Sequence, residues 1–141
     1  MTTDSVIAEI LAAHPREQSA LLPILHDVQA EFGCVDAAAE RIIADALNLS
    51  RAEVHGVVSF YHDFRSAPDP RPAVQICQAE SCKARGIDML MQAARDAAGE
   101  RVRLAPVYCL GLCSVGPNAR VGDRLHARLD EAQLVSLVKA Q

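Results

Sequence analysis

The spacing of apolar residues divides the chain into a helical first half and a second half in which strands alternate with helices. Before residue 66, apolar residues recur every three or four positions, a spacing typical of amphipathic helices. Four helices are predicted there, with apolar faces within residues 6–11, 21–32 and 42–47 and a fourth helix over about 51–61. The first half is therefore expected to be a small helical bundle.

Residues that start and stop helices support this interpretation. Gly33 is placed to end the second helix, and Asp36 is placed to cap the third. Ser50 and Glu53 form a capping-box pattern, in which each side chain accepts a hydrogen bond from a backbone amide at the start of the fourth helix. Pro23 is compatible with the second helix only in its first turn, where the missing N–H costs nothing.

The segment 66–72, with the sequence SAPDPRP, separates the two halves. Three prolines in seven residues exclude a helix or a central strand, so the segment is predicted to be a linker. After it, strands are predicted over 73–78, 101–108, 118–121 and 125–129, with a turn at 122–124 and helices over 87–98 and from Asp130 onward. The expected fold class is α+β, with a helical domain over 1–65 and a strand-containing domain over 73–141.

Composition and charge limit the classes of function. The 141 residues carry 14 Lys plus Arg against 18 Asp plus Glu, and half of them are hydrophobic, which excludes a wholly disordered chain. The net charge of −4 argues against a nucleic-acid partner. No stretch approaches the ~20 apolar residues of a membrane span, and Asp4 and Glu9 lie where a signal peptide would carry Lys or Arg. We therefore expect a cytoplasmic protein without membrane insertion.

Five cysteines are the unusual feature of the composition: Cys34, Cys77, Cys82, Cys109 and Cys113. An odd number without an export signal argues against a disulfide framework. Four of the cysteines form two close pairs, and each pair follows a predicted strand. If those strands are neighbours in a sheet, both loops open at the same end and four thiolates can converge there.

Three kinds of site could use such a set of thiolates. A tetrahedral zinc ion accepts four cysteines, and so do the two irons of a [2Fe–2S] cluster. A thiol switch is the third, although neither pair has the two-residue spacing of a dithiol redox motif. The spacing favours iron–sulfur and leaves a zinc-stabilised interaction module and a thiol switch open.

Two motifs of the second half carry a family resemblance. With CQAESC at 77–82 and YCLGLCSVGP at 108–117, this half resembles the thioredoxin-like [2Fe–2S] ferredoxins. Together with LLPILHDVQAEFG at 21–33 and LNLSRAEVHGVVSFYHDF at 47–64, the chain resembles the 24 kDa subunit family of NADH:quinone oxidoreductase over nearly its whole length.

Within that family, one group is especially similar. HGVVSFYHDFR at 55–65 and VYCLGLCSVGP at 107–117 are most similar to the gamma subunit of NAD-dependent formate dehydrogenase. The equivalent subunits of bidirectional hydrogenase and of NADH:quinone oxidoreductase are the nearest alternatives. The stretch between Cys82 and Cys109 is shorter than is usual in the family, through a trimmed connection around 99–101.

The resemblance implies a cofactor, a role and partners. It implies that Cys77, Cys82, Cys109 and Cys113 ligate one [2Fe–2S] cluster, and that the chain is a non-catalytic electron-transfer subunit with a thioredoxin-like domain. It further implies that FMN and NAD are bound by a flavin-bearing, NADH-binding partner subunit within a formate dehydrogenase-type complex. The residues agree, because the sequence has no dinucleotide-binding glycine motif, no phosphate loop and no recognisable nucleophile–base pair.

Three further features lead to expectations that the structure can address. Cys34 is expected to be a thiol without a ligand role. The run 57–64 is expected to be the apolar core face of a helix, with a partner-docking surface as the alternative. Pro117 lies where thioredoxin-like folds often have a cis proline, against a general frequency of only ~5–6% for cis X–Pro bonds.

Overall fold

Seven α-helices and four β-strands run through residues 2–141, the part of the chain that the computed structural model describes. The helices are α1 Thr3–Ala12, α2 Leu21–Phe32, α3 Ala37–Leu47, α4 Arg51–Phe60, α5 Glu80–Ala84, α6 Ile87–Ala98 and α7 Glu131–Lys139. The strands are β1 Ala73–Cys77, β2 Arg103–Val107, β3 Ala119–Val121 and β4 Arg124–His126. The predicted α+β fold class is confirmed.

Helices α1 to α4 form a compact unit that ends at Pro70 in the sequence. Its core is built from aliphatic side chains that the helical spacing turns to one side of each helix. Ile7, Leu25, Ile43 and Val54 are each fully buried. Burying such a side chain stabilises a fold by roughly 1.5–3 kcal/mol, so this face holds the four helices together.

The predicted helix ends are present. Gly33 follows α2 with a φ of 74°, a left-handed conformation that glycine adopts without steric cost. The Asp36 carboxylate accepts hydrogen bonds from the backbone amides of Ala38 and Ala39 in the first turn of α3. The capping box of Ser50 and Glu53 at the start of α4 has both of its hydrogen bonds, and Pro23 lies in the first turn of α2.

Part of the proline-rich segment packs within this first unit. The amide of Val35 donates to the Arg65 carbonyl at 2.7 Å, and the Arg65 guanidinium reaches the Asp69 carbonyl at 3.4 Å. A Cβ placed on Gly33 would lie 3.6 Å from the Cβ of Pro68. The boundary between the two compact units, between Pro70 and Arg71, falls inside the predicted linker.

The second unit begins at Arg71 and is built on a four-stranded mixed sheet in the order β2-β1-β3-β4. Strand β1 pairs in parallel with β2 and antiparallel with β3, and β3 and β4 form an antiparallel hairpin. Helices α6 and α7 contribute to the same core as the sheet, where Val74, Ile76, Ile87 and Leu134 are at most 1% exposed. The central position of β1 fixes where its carboxyl end, Cys77, must lie.

Three sequence-based predictions in this unit need correction. Residues 80–84 are helix α5 rather than loop, because five residues are too few to show a helical period. The last strand is Arg124–His126 and not 125–129, because Arg128 has a φ of 52° that interrupts an extended chain. Arg124 pairs with Val121 instead of lying in the turn, so the hairpin loop has two residues. The other strands are one to three residues shorter than predicted.

Candidate metal centre

Parallel pairing brings the ends of β1 and β2 to the same edge of the sheet. Cys77 is the last residue of β1 and lies opposite Val107, the last residue of β2. The amide of Gln78 donates to the Val107 carbonyl at 2.7 Å and so extends this register by one residue. Cys109 follows two residues after β2, and both cysteine loops therefore open at one end of the sheet, as predicted.

Helix α5 places Cys82 against Cys77. Both side chains are buried, with 1% and 2% exposure, and the two thiols are hydrogen bonded to each other. Burial raises the pKa of the Cys82 thiol, and the hydrogen bond with Cys77 raises it further. The Ser81 hydroxyl donates to the Cys113 carbonyl at 2.8 Å, which ties α5 to the second cysteine loop.

The second pair lies in the exposed loop after β2. The Sγ atoms of Cys109 and Cys113 are 3.5 Å apart, and the Gly111 amide donates to the Cys109 sulfur at 3.3 Å. That amide, and then the hydrogen bond with Cys113, lower the pKa of Cys109, whereas the same bond and the nearby Cys109 charge raise the pKa of Cys113. Cys109 has a φ of 103°, which turns the chain back so that the two sulfurs meet.

Gly116 and Pro117 pass close behind the buried pair. A Cβ on Gly116 would lie 3.1 Å from the Cys82 sulfur and 3.1 Å from the Arg85 Cδ, so any larger residue would push on the thiol. The Gly116–Pro117 peptide bond is cis, as the resemblance implied. The next residue, Asn118, is buried and its side-chain amide lies 3.6 Å from the Cys82 sulfur.

A profile of the family described as thioredoxin-like [2Fe–2S] ferredoxin matches residues 7–141, which includes both cysteine loops and nearly all of the helical unit. The chain belongs to this family. The [2Fe–2S] cluster is the family's cofactor, and its chemistry is the gain and loss of one electron at a time.

Relatives of this ferredoxin extend over most of its length. It is 30% identical to a NADH-quinone oxidoreductase subunit of Rhizobium meliloti (strain 1021), covering 99% of this chain and 89% of that one. It is 23% identical to the HndA subunit of the NADP-reducing hydrogenase of Solidesulfovibrio fructosivorans, covering 94% and 82%. It also matches a chain of the NAD+-reducing [NiFe]-hydrogenase in its H2-reduced state, with a TM-score of 0.70 and 25% identity. That match covers 89% of the ferredoxin but only 22% of the hydrogenase chain.

The four thiols of the ferredoxin fit the needs of its cofactor. A [2Fe–2S] cluster takes two cysteines at each of two irons, and the thiols occur here as two pairs. Within residues 2–141, no three His, Cys, Asp or Glu side chains are placed to hold one metal ion. The backbone amide of Gly111 and the side-chain amide of Asn118 point at sulfur, which stabilises the thiolate form of a cysteine.

Residues outside the two loops occupy other environments. Cys34 is a half-buried thiol in the helical unit. His14 is hydrogen bonded to Asp27 at 2.6 Å, and His55 contacts Glu40 at 3.1 Å, so each of these histidines has a carboxylate partner. No helix within the described residues is long and apolar enough to cross a membrane.

Sequence reasoning missed three contributors to the site: Ser81, Gly116 and Asn118. The only signal for them was position, since Ser81 precedes Cys82 and the other two follow Cys113 within five residues. Their contacts join segments that are more than 30 residues apart in the chain, and a local pattern cannot reveal such contacts.

Proposed function

We propose that this ferredoxin is the electron-carrying subunit of an NAD-linked oxidoreductase complex, with Cys77, Cys82, Cys109 and Cys113 as the ligands of its [2Fe–2S] cluster. The observation that carries the proposal is the placement of two thiol pairs in segments that follow β1 and β2 at the same edge of the sheet, in a chain matched by the ferredoxin family from residue 7 to residue 141. The chain supplies thiolates, amide donors and a fixed geometry. Substrate chemistry belongs to other subunits.

The test of the ligand assignment is elemental and spectroscopic. Protein made under anaerobic, iron-replete conditions is expected to hold about two irons and two acid-labile sulfides per chain, because each of the cluster's two irons takes two cysteines. It should be brown-red and give a rhombic EPR signal on reduction. Stoichiometric zinc with no iron would instead favour the structural zinc module, and colourless metal-free protein would favour the thiol switch.

We further propose that the parent complex is an NAD-dependent formate dehydrogenase, with FMN and NAD bound by a partner subunit. The motifs HGVVSFYHDFR and VYCLGLCSVGP support this assignment. The names of the relatives support the alternatives, a hydrogenase or an NADH:quinone oxidoreductase. An affinity-tagged chain should copurify with its native complex, and formate-dependent, hydrogen-dependent and quinone-dependent turnover of NAD(H) by that complex would separate the three.

The helical unit is proposed to dock the ferredoxin onto the flavin-bearing subunit. The run 57–64 supports this, because its apolar residues divide into two sets. Val58 and Phe64 are buried in the core, whereas Phe60 is 74% exposed and Tyr61 is 42% exposed. The two exposed rings contact each other at 5.1 Å, edge to face. A solvent-exposed aromatic pair of this kind is characteristic of the centre of a protein interface.

Because Phe60 is exposed, a substitution there can test docking without a large effect on stability. Phe60→Ser should leave the free energy of unfolding nearly unchanged, since little buried area is lost, but should reduce copurification with the flavoprotein several-fold. Met89→Ser is the matched control, because Met89 is 81% exposed and lies in the second unit, Arg71–Gln141, which is the cluster-bearing unit of this proposal. Equal recovery of the flavoprotein with Phe60→Ser and with the parent chain would exclude this ring as a docking contact.

A further inference from the structure

Asn118 connects the segments that carry both cysteine pairs. It follows the cis-Pro117, is 1% exposed and directly precedes β3. Its backbone carbonyl accepts a hydrogen bond from the Cys77 amide at 3.0 Å, which holds the end of β1. Its side-chain Nδ2 donates to the Leu112 carbonyl at 2.8 Å, within the loop between Cys109 and Cys113. Asn118 therefore holds both the end of β1, which carries Cys77, and the loop between Cys109 and Cys113.

The same residue also faces a sulfur. Its side-chain Nδ2 lies 3.6 Å from the Cys82 sulfur. The side-chain Oδ1 is buried and has no hydrogen-bond partner within the described residues. If Nδ2 and Oδ1 exchanged positions, the acceptor Oδ1 would face two other acceptors, the Leu112 carbonyl and the Cys82 sulfur. In the observed orientation the donor Nδ2 faces both of them.

We propose that Asn118 is a positioning residue that fixes the two cysteine-bearing segments relative to each other. Its Nδ2 donor at the Cys82 sulfur also raises the reduction potential of the cluster. The proposal rests on the ligand assignment given above. Reduction adds one negative charge, and N–H donors at a cluster sulfur stabilise that charge. Removing the Nδ2 donor should therefore lower the potential, whereas replacing it with a carboxylate should lower it more, because a negative charge opposes reduction.

The experiment compares the midpoint potentials of the intact parent chain, Asn118→Leu and Asn118→Asp, each loaded with its cluster. Asn118→Leu should shift the equilibrium for one-electron reduction at least threefold toward the oxidised form, about 30 mV more negative. Asn118→Asp should shift it further in the same direction. Gln75→Leu is the matched control, since it removes a half-buried amide from β1 that bonds Arg120 and no thiol, and its potential should equal that of the parent.

Iron and sulfide content and the circular dichroism of each apoprotein complete the test. A folded Asn118→Leu apoprotein that cannot retain the cluster supports the positioning role. Fully loaded variants with the parent potential would overturn the proposal, and so would unfolding of both variants, because the residue would then serve the fold alone. A parent chain without iron would contradict the ligand assignment instead, so the two failures are distinguishable.

Discussion

The two cysteine pairs have different environments, although both follow neighbouring strands of the sheet. Cys77 at the end of β1 and Cys82 in α5 are buried, whereas Cys109 and Cys113 are exposed. The cause is local, since Cys77 ends the central strand and Cys109 lies beyond the end of an edge strand. Substitutions at the two pairs should therefore have different consequences for the protein without its cluster.

Replacing any one of Cys77, Cys82, Cys109 or Cys113 by Ala should abolish or strongly perturb the visible spectrum, because one iron loses a ligand. Cys82→Ala should also destabilise the apoprotein by about 1–3 kcal/mol through the cavity it leaves, which chemical denaturation would measure. Cys109→Ala should not, because its side chain is exposed. Cys34→Ser serves as the control and should keep the full spectrum. A bleached Cys34 variant would mean that the ligand set is wrong.

Alkylation of the apoprotein should distinguish the two exposed thiols. The Gly111 amide lowers the pKa of Cys109 below its ordinary value of 9.0, so its reactive thiolate persists to lower pH. The pKa of Cys113 is raised, so its thiolate appears only at higher pH. At neutral pH, mass spectrometry after a short iodoacetamide pulse should find Cys109 labelled first, with a rate that rises with pH through a midpoint below 9.0. Earlier labelling of Cys113 would contradict this order.

Gly116 is required by space and not by backbone conformation. Its φ of −69° is open to any residue, but an added Cβ would lie 3.1 Å from the Cys82 sulfur. Gly116→Ala should therefore cost roughly 1–3 kcal/mol in the free energy of unfolding and alter the visible spectrum. Gly56→Ala is the matched control. A Cβ there meets nothing within 4 Å in helix α4, so it should stabilise the protein by about 0.5–1 kcal/mol. An unchanged spectrum in Gly116→Ala would show that the sulfur can move without consequence.

Among the elements, α4 illustrates how a helix end controls both stability and titration. The Glu53 carboxylate accepts hydrogen bonds from the Ser50 hydroxyl at 2.7 Å and from the Ser50 amide at 2.8 Å. These bonds lower the pKa of Glu53 from its ordinary value of 4.5. The stabilisation they give is complete above 4.5 and is lost as the pH falls through the lowered pKa of the folded state.

Ser50→Ala should cost about 1 kcal/mol in the free energy of unfolding at pH 7, because the amide of Glu53 loses its capping partner. The pKa of Glu53 should move back toward its ordinary value, since the hydroxyl is the main cause of the shift. Denaturant unfolding measures the first effect, and NMR titration of the Glu53 carboxylate measures the second. A Glu53 pKa that does not move would assign the shift to the backbone amide alone.

On the scale of the whole molecule, the two compact units differ in charge. Residues 1–70 carry 11 Asp plus Glu and 4 Lys plus Arg, a net charge of −7, whereas residues 71–141 carry 7 and 10, a net charge of +3. The overall value of −4 conceals this separation. Surfaces of opposite sign attract different partner surfaces, so a basic partner suits the helical unit and an acidic one suits the cluster-bearing unit.

Each unit also has its own hydrophobic core, so we expect the second unit to fold without the helical unit. A chain that begins at Arg71 should fold and retain the full visible spectrum, because all four thiols of the site and the whole sheet lie within it. It should no longer copurify with the flavoprotein if the helical unit is the dock. Undiminished copurification would mean that the dock lies in the cluster-bearing unit, and loss of the spectrum would mean that the helical unit is needed for the site.

The sequence alone determined the features that depend on neighbouring residues. Helical spacing, the Ser50 capping box, the glycine stop at Gly33 and the proline-rich segment each arise within a few residues, so they could be predicted correctly. The two cysteine pairs, each following a strand, predicted that both cysteine loops would open at one end of the sheet, and the parallel pairing of β1 and β2 confirms this. The motifs around them identified the family, which the family profile confirms.

Only the tertiary structure decided what surrounds the thiols and which aromatic residues remain exposed. Asn118 reaches Cys82 across 36 residues of sequence, and Ser81 reaches the Cys113 carbonyl across 32. Phe60 and Phe64 belong to one apolar run, yet packing buries Phe64 and leaves Phe60 in solvent. Such contacts depend on how strands and helices pack together, because burial and hydrogen bonding are set by neighbours in space, whereas a sequence pattern records only neighbours along the chain.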